Sequence, residues 1–258
     1  MSQARAIHSV LLTGATGSIG SALARAYAAP GVTLFLQGRK VEQLGLIAQQ
    51  CRSLGAVVQV AAFDLRERDQ LTNWLNNICG ELVPDLVIVN AGINIHSGPN
   101  NSGENWHEVE ALLEVNIRAA LATVNGVLPF MRKRGHGQIA LISSLAAYHG
   151  LPMTPSYCAS KAALKAYGEG LRSWLAEEGV KVNVVMPGYV ESAMCSDMPG
   201  PKPFLWGPDK AAQTIKRGLE RNQARISFPF PLNLGTWFLA VLPAGISQRM
   251  LRLFGYAA

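Results

Sequence analysis

Two short stretches carry residues whose types and spacing suit chemistry. In SYCASKAAL, Ser156 to Leu164, a tyrosine and a lysine stand four residues apart. On a helix that spacing puts both side chains on one face, so the ammonium of Lys161 can reach toward the ring of Tyr157. A phenol titrates near pH 10 and is a poor acid or base at neutral pH, but a fixed cation beside it favours the phenolate. Such a pair can move a proton. In TGATGSIG, Thr13 to Gly20, glycines permit a tight turn and let backbone N–H groups come close to a pyrophosphate. Neither stretch is decisive alone.

The elements that must position them follow from the pattern of the chain. Apolar runs at 9 to 14, 32 to 38, 57 to 65, 85 to 92, 138 to 144 and 180 to 188 read as strands buried on both faces. Helical periodicity fills 18 to 29, 39 to 54, 67 to 79, 106 to 133 and 156 to 177. A helix starting near Pro208 and a last strand over 224 to 231 complete the series. The alternation predicts an α/β fold: a Rossmann-like doubly wound parallel sheet of about seven strands with helices on both faces. In such a sheet ligands bind beyond the carboxyl ends of the strands. Thr13 and Gly14, Asp64, Asn90 to Gly92, Ser143 and Ser144, and Pro187 and Gly188 all fall at those ends.

Composition narrows the class. At 258 residues, 49% hydrophobic and 16% charged, the chain suits one domain, 1–258, with a large core. Cys51, Cys79, Cys158 and Cys195 are scattered, with no CxxC and no metal-ligand cluster, so no metal is expected and the thiols read as reduced, in a cytoplasmic protein. The start MSQARAIHSVLLTG runs directly into a strand, which leaves no room for a cleaved signal peptide. The net charge is +6, and from Asp209 onward Lys210, Lys216, Arg217, Arg221, Arg225, Arg249 and Arg252 face only Asp209 and Glu220. No aromatic-interleaved basic stripe or recognition helix accompanies that excess, which argues against nucleic acid.

The glycine loop on the first strand-to-helix turn points to a dinucleotide. After the second strand the sequence reads Gln37, Gly38, Arg39, where an acidic residue would hold the ribose hydroxyls of NAD. An arginine there supplies a cation for a 2′-phosphate, so NADP is expected, with NAD as the alternative.

With these motifs in order, the chain resembles the short-chain dehydrogenase/reductase family, in its compact single-domain branch, over roughly residues 7 to 192. The resemblance assigns the cofactor to Thr13, Gly14, Thr16, Gly17, Ser18, Ile19 and Gly20 of the loop, to Arg39, to Asp64 and Leu65 at the adenine, and to Asn90, Ala91 and Gly92. It adds Pro187, Gly188, Val190 and Ser192, in PGYVES, as the segment closing over the nicotinamide. Compact members usually place the middle glycine sixth in the loop; here Gly17 is fifth and Ser18 sixth, a spacing shared with the extended branch. The catalytic set it implies is Asn116, Ser144, Tyr157 and Lys161, with Ser144 at the family's usual interval of thirteen residues before Tyr157. Tyr157 would be the general acid or base, Lys161 would lower its pKa and hold the ribose, Ser144 would bind the substrate oxygen, and Asn116 would position a relay water.

The expected activity is hydride transfer between NADP(H) and a carbonyl or secondary alcohol. Alternatives are a sugar-nucleotide-type epimerase or dehydratase, a surface-polysaccharide biosynthetic dehydrogenase, and a non-catalytic NADP-sensing protein. The loop 93–105 and the stretch 189–207, with Met194, Met198, Phe204, Leu205 and Trp206, are expected to line an apolar pocket for a hydrophobic, acyl or lipid-like substrate. Twenty-three uncharged residues separate Arg225 from Arg249, interrupted by Pro229, Pro231 and Pro243. The segment 232–258 is therefore expected to pack in a subunit interface of a homodimer or homotetramer, or to cover the pocket, rather than to span a bilayer. A peripheral membrane contact is the further alternative.

Overall fold

The computed structural model describes residues 6–96, 102–198 and 200–256. Residues 97–101 of the expected pocket loop and Pro199 of the expected lid lie outside them. Seven strands form one sheet: β1 (Ser9–Leu12), β2 (Thr33–Gly38), β3 (Val57–Ala62), β4 (Leu86–Val89), β5 (Gly137–Ile142), β6 (Val180–Pro187) and β7 (Arg225–Phe228). Their order is β3-β2-β1-β4-β5-β6-β7, and all neighbours are parallel. The strand order reverses between β1 and β4, which opens a crevice beyond their carboxyl ends.

Alternation along each strand explains the continuous apolar runs. Val10 and Leu12 of β1, with Leu34, Leu36, Leu86 and Ile88, face α1 (Ser18–Tyr27), α2 (Val41–Ser53) and α8 (Pro208–Glu220) in one core. Leu11, with Phe35, Val87, Val89, Ile139 and Leu141, faces α3 (Arg68–Glu81), α5 (Ala120–Arg134) and α6 (Pro155–Trp174) in the other. Ile88 is wholly buried in the sheet centre, and trimming it to alanine is expected to cost about 2–5 kcal/mol. β3 departs from the expectation of burial on both faces. It is an edge strand, and Val57 and Val60 are largely exposed.

Residues 106 to 133 were expected as one α-helix. The structure places α4 (Trp106–Leu113) and α5 on either side of a wider π-helical turn, Glu114–Ala119. The continuous helical run Trp106–Arg134 is long and apolar enough to cross a membrane by length and composition, but half of its apolar window is buried within the fold. The last strand stops at Phe228 rather than reaching 231, because Pro229 has no N–H to give to a ladder. Three helices were not anticipated: the short α7 (Ala193–Asp197), α9 (Leu232–Val241) and α10 (Ala244–Leu253). The last two follow β7, and α9 lies against it and against the 3-10 turn Leu145–Ala147.

Candidate active site

The β1–α1 loop is held from both sides. Gly14 sits at φ +66, and a Cβ on it would stand 2.7 Å from the Cα of Ala91, so only glycine suits this crossing. Its N–H donates to Oε1 of Gln37 at 3.1 Å, while Nε2 of Gln37 donates to the carbonyl of Phe63 at 2.7 Å. Gln37 therefore ties the loop to the end of β3 from a buried position. On the other side, Asn90 Nδ2 donates to the carbonyls of Thr13 and Gly14 at 3.1 and 3.0 Å. Thr13 Oγ1 accepts from the N–H groups of Asn90 and Ala91. Thr13 is thus wholly buried and shapes the loop from behind, without lining the cleft.

A cleft of about 1500 Å³ opens along these strand ends. It is lined by Gly14, Thr16, Gly17, Ser18, Ile19 and Gly20 of the loop, by Arg39, Asp64 and Leu65, and by Asn90, Ala91 and Gly92. Pro187, Gly188, Val190 and Ser192 line it as well. Ser192 caps α7, its Oγ accepting from the N–H of Cys195 at 3.0 Å. Gly17 directly precedes α1, and Ser18 is that helix's first residue, so the fifth-place glycine still leads into a helix N-terminus. Asp64 receives two hydrogen bonds from the Arg66 guanidinium, with Arg39 further off at 3.8 Å. The Arg66 contact holds its carboxyl below the usual value.

At the β5 and α6 side of the same cleft stand Ser144, Tyr157 and Lys161. Ser144 stands near the Tyr157 hydroxyl, and its Oγ accepts from the N–H of Ala146 at 3.1 Å. Lys161 Nζ lies 5.6 Å from the centre of the Tyr157 ring and donates to the carbonyl of Ile142 at 3.0 Å. The helix turn expected from the sequence does bring phenol and amine together. The electrostatic order differs from the expectation. Burial pushes the Tyr157 hydroxyl up to about 12, outweighing the nearby Ser144 hydroxyl, which acts the other way. Burial also pushes the Lys161 amine down to about 8.

Asn116 lies behind this wall, wholly buried in the π-helical turn. Its Oδ1 accepts from the N–H of Ile93 at 2.8 Å, and its Nδ2 donates to the Ile93 carbonyl and to Ser160 Oγ at 2.9 and 3.0 Å. Ser160 in turn donates to the carbonyl of Tyr157. A Cβ on Gly92 would stand 3.2 Å from both Asn116 Oδ1 and Lys161 Nζ, so strand β4's end, the wide turn and α6 meet at one point.

Several participants were not found from the sequence. Gln37 and Ser160 look like ordinary polar residues in a strand and a helix, and only their burial marks them. Ser143, at the end of β5, donates to the Lys161 carbonyl at 2.7 Å. Met250, Leu251, Phe254 and Tyr256 also line the cleft, brought there by α10 and the residues after it. His149 is tied to α10 through Ser247 Oγ at 3.0 Å.

Residues 8–200 match the family model described as short chain dehydrogenase. The chain belongs to the short-chain dehydrogenase family. This dehydrogenase is 34% identical to an uncharacterized oxidoreductase of Myxococcus xanthus over 90% of its own chain and 92% of the relative. It is 31% identical to the ketoacyl reductase HetN of a Nostoc species over 84% of this chain and 77% of that one. Among solved structures it resembles a short-chain dehydrogenase from Sphingobium yanoikuyae in complex with NADPH, with a TM-score of 0.80, 23% identity and 95% of each chain covered. That likeness is one of fold.

Proposed function

We propose that this short-chain dehydrogenase is an NADP(H)-dependent oxidoreductase acting on a carbonyl or secondary alcohol of a hydrophobic, acyl or lipid-like molecule. The observation that carries the reading is the convergence, on one cleft, of the glycine loop, Arg39 and the Ser144–Tyr157–Lys161 cluster.

The cleft residues fit a phosphorylated dinucleotide. No acidic side chain stands at the end of β2 to meet ribose hydroxyls, and a Cβ on Gly38 would come within 2.8 Å of Cγ2 of Thr16, which would have to shift. The neighbouring Arg39 is exposed and lines the cleft, offering a cation to a 2′-phosphate. The loop N–H groups and the start of α1 would hold the pyrophosphate. When bound, the nicotinamide supplies or accepts the hydride.

The chain's own groups handle the proton. With its pKa near 12 the Tyr157 hydroxyl stays protonated at neutral pH, the form needed to donate to a carbonyl oxygen being reduced. Ser144, on the same wall of the cleft as that hydroxyl, orients the same oxygen and stabilises charge on it. Lys161 stands next in line beneath the ring, and Asn116 and Ser160 fix the helix turn that carries Tyr157. For the substrate, the apolar character of Leu145, Met194, Phe204, Leu232, Phe238 and Leu251 supports a hydrophobic molecule. The likeness to a protein named ketoacyl reductase supports an acyl one. All four cysteines are free and buried, which fits a cytoplasmic setting.

Following NADPH oxidation and NADP reduction across panels of ketones, ketoacyl esters and alcohols tests the reading. Turnover of an apolar ketone is expected, falling by about 10²-fold or more in Tyr157→Phe with NADPH binding kept. Near-parental turnover in that variant refutes the mechanism, and binding without net cofactor consumption points to an epimerase or a sensor instead.

A further inference from the structure

We infer that the α9–α10 face of this protein docks on the surface of an anionic lipid bilayer. On α9, Leu234, Trp237, Phe238 and Val241 follow the i, i+3, i+4, i+7 spacing of one helical stripe, and all four are exposed. The buried residue of that helix is Leu239, which stands off the stripe. On α10, Ile246 and Leu253 are exposed on the face opposite Ser247 and Leu251, which are buried. A stripe of this kind normally faces a core; here it faces outward, and exposed clusters of large apolar side chains mark contact surfaces. Trp237 is a residue type suited to the boundary between headgroups and acyl chains.

The charge carried by α10 selects the partner. Beyond Glu220 the chain has no acidic residue, and while Arg225 at the start of β7 is paired with Glu169, two further arginines, Arg249 and Arg252, follow the stripe. Arg249 and Arg252 lie on α10 itself, both exposed and without a carboxylate partner among the described residues. A second copy meeting this face about a two-fold axis would lay arginine against arginine with no acid on either helix to offset it. Anionic headgroups neutralise the same arginines while the apolar side chains enter the boundary region. The cleft opens at this face, since Leu234, Phe238 and Phe254 are at once exposed and part of its lining.

The inference rests on surface chemistry rather than on the reaction. Flotation of the full chain with phosphatidylcholine vesicles, with and without phosphatidylglycerol, reads it without substrate or cofactor, so loss of activity and loss of docking remain separate results. The protein is expected to float with the anionic vesicles, to stay below with the neutral ones, and to be released by salt. Arg249→Gln with Arg252→Gln is expected to weaken binding to anionic vesicles about 30-fold. Trp237→Glu, outside the cleft lining, is expected to abolish flotation while circular dichroism and NADPH binding stay as in the parent. A parent chain that never floats overturns the inference, as does a double-arginine variant that floats as well as the parent. A dimer in light scattering that Trp237→Glu splits, with no flotation of the parent, assigns the face to a second copy instead.

Discussion

Replacing Lys161 by methionine should remove turnover and also reshape the pH dependence of stability. The amine is buried, and burial lowers it to about 8 from an ordinary value of 10.5. A folded-state pKa below the unfolded one means that the unfolded chain binds the proton more tightly. The charged lysine therefore opposes folding fully at pH values below about 8, and the penalty fades as pH rises toward 10.5. At about 1.4 kcal/mol per pH unit, the difference amounts to about 3 kcal/mol of lost stability near neutrality. From about pH 7 to about pH 9.5 the parent should gain about 2 kcal/mol relative to Lys161→Met. The hydrogen bond from Lys161 Nζ to the Ile142 carbonyl is lost in the variant at every pH, so it moves the offset between the two curves and leaves their divergence intact. Tyr157 titrates in both chains and cancels to first order. Urea unfolding of both proteins without cofactor, repeated across that pH range, measures the quantity. Two stability curves that run parallel would refute the claim that burial of this amine costs the fold anything.

Two further substitutions probe the cofactor half of the cleft. Arg39→Ala should raise the Kd for NADPH about 10-fold and leave that for NADH nearly unchanged, as fluorescence titration of both cofactors would register; equal losses for both would remove the 2′-phosphate assignment. Gly14→Ala should lower stability by about 1–2 kcal/mol, because the added methyl meets Ala91 at a backbone angle unfavourable to any L side chain. Thermal unfolding checks this, and an unchanged midpoint would contradict the crossing geometry described for the loop.

The strands were legible because the sheet centre admits little but aliphatic side chains on both faces, as in Leu86–Val89. The same signal misled at Val57–Ala62, where an apolar sequence forms an exposed edge, since neighbour count is a property of topology and not of local composition. The Tyr157 and Lys161 juxtaposition was legible because a four-residue spacing is fixed by one helix. Their titration behaviour was not, because it depends on how much protein covers the turn. Gln37 could not be singled out for a related reason: its two hydrogen bonds reach Gly14 and Phe63, residues that approach it only once three strands have assembled. The C-terminal helices hid behind prolines at 229, 231 and 243, which read as interruptions in a long apolar run and in the structure stand before or between helices.

The widened turn at Glu114–Ala119 has an evolutionary corollary. Each residue of a regular helix advances the azimuth by about 100°, so one position inserted or lost within this turn would swing Asn116 away from Ile93 and Ser160. It would equally rotate the Val124, Val127, Leu128 and Met131 side of α5 off the sheet relative to Val109 and Leu112 of α4. Length variation along the lineage should therefore be tolerated before Trp106 or after Arg134 and purged between them, even at positions whose side chains touch nothing in the cleft.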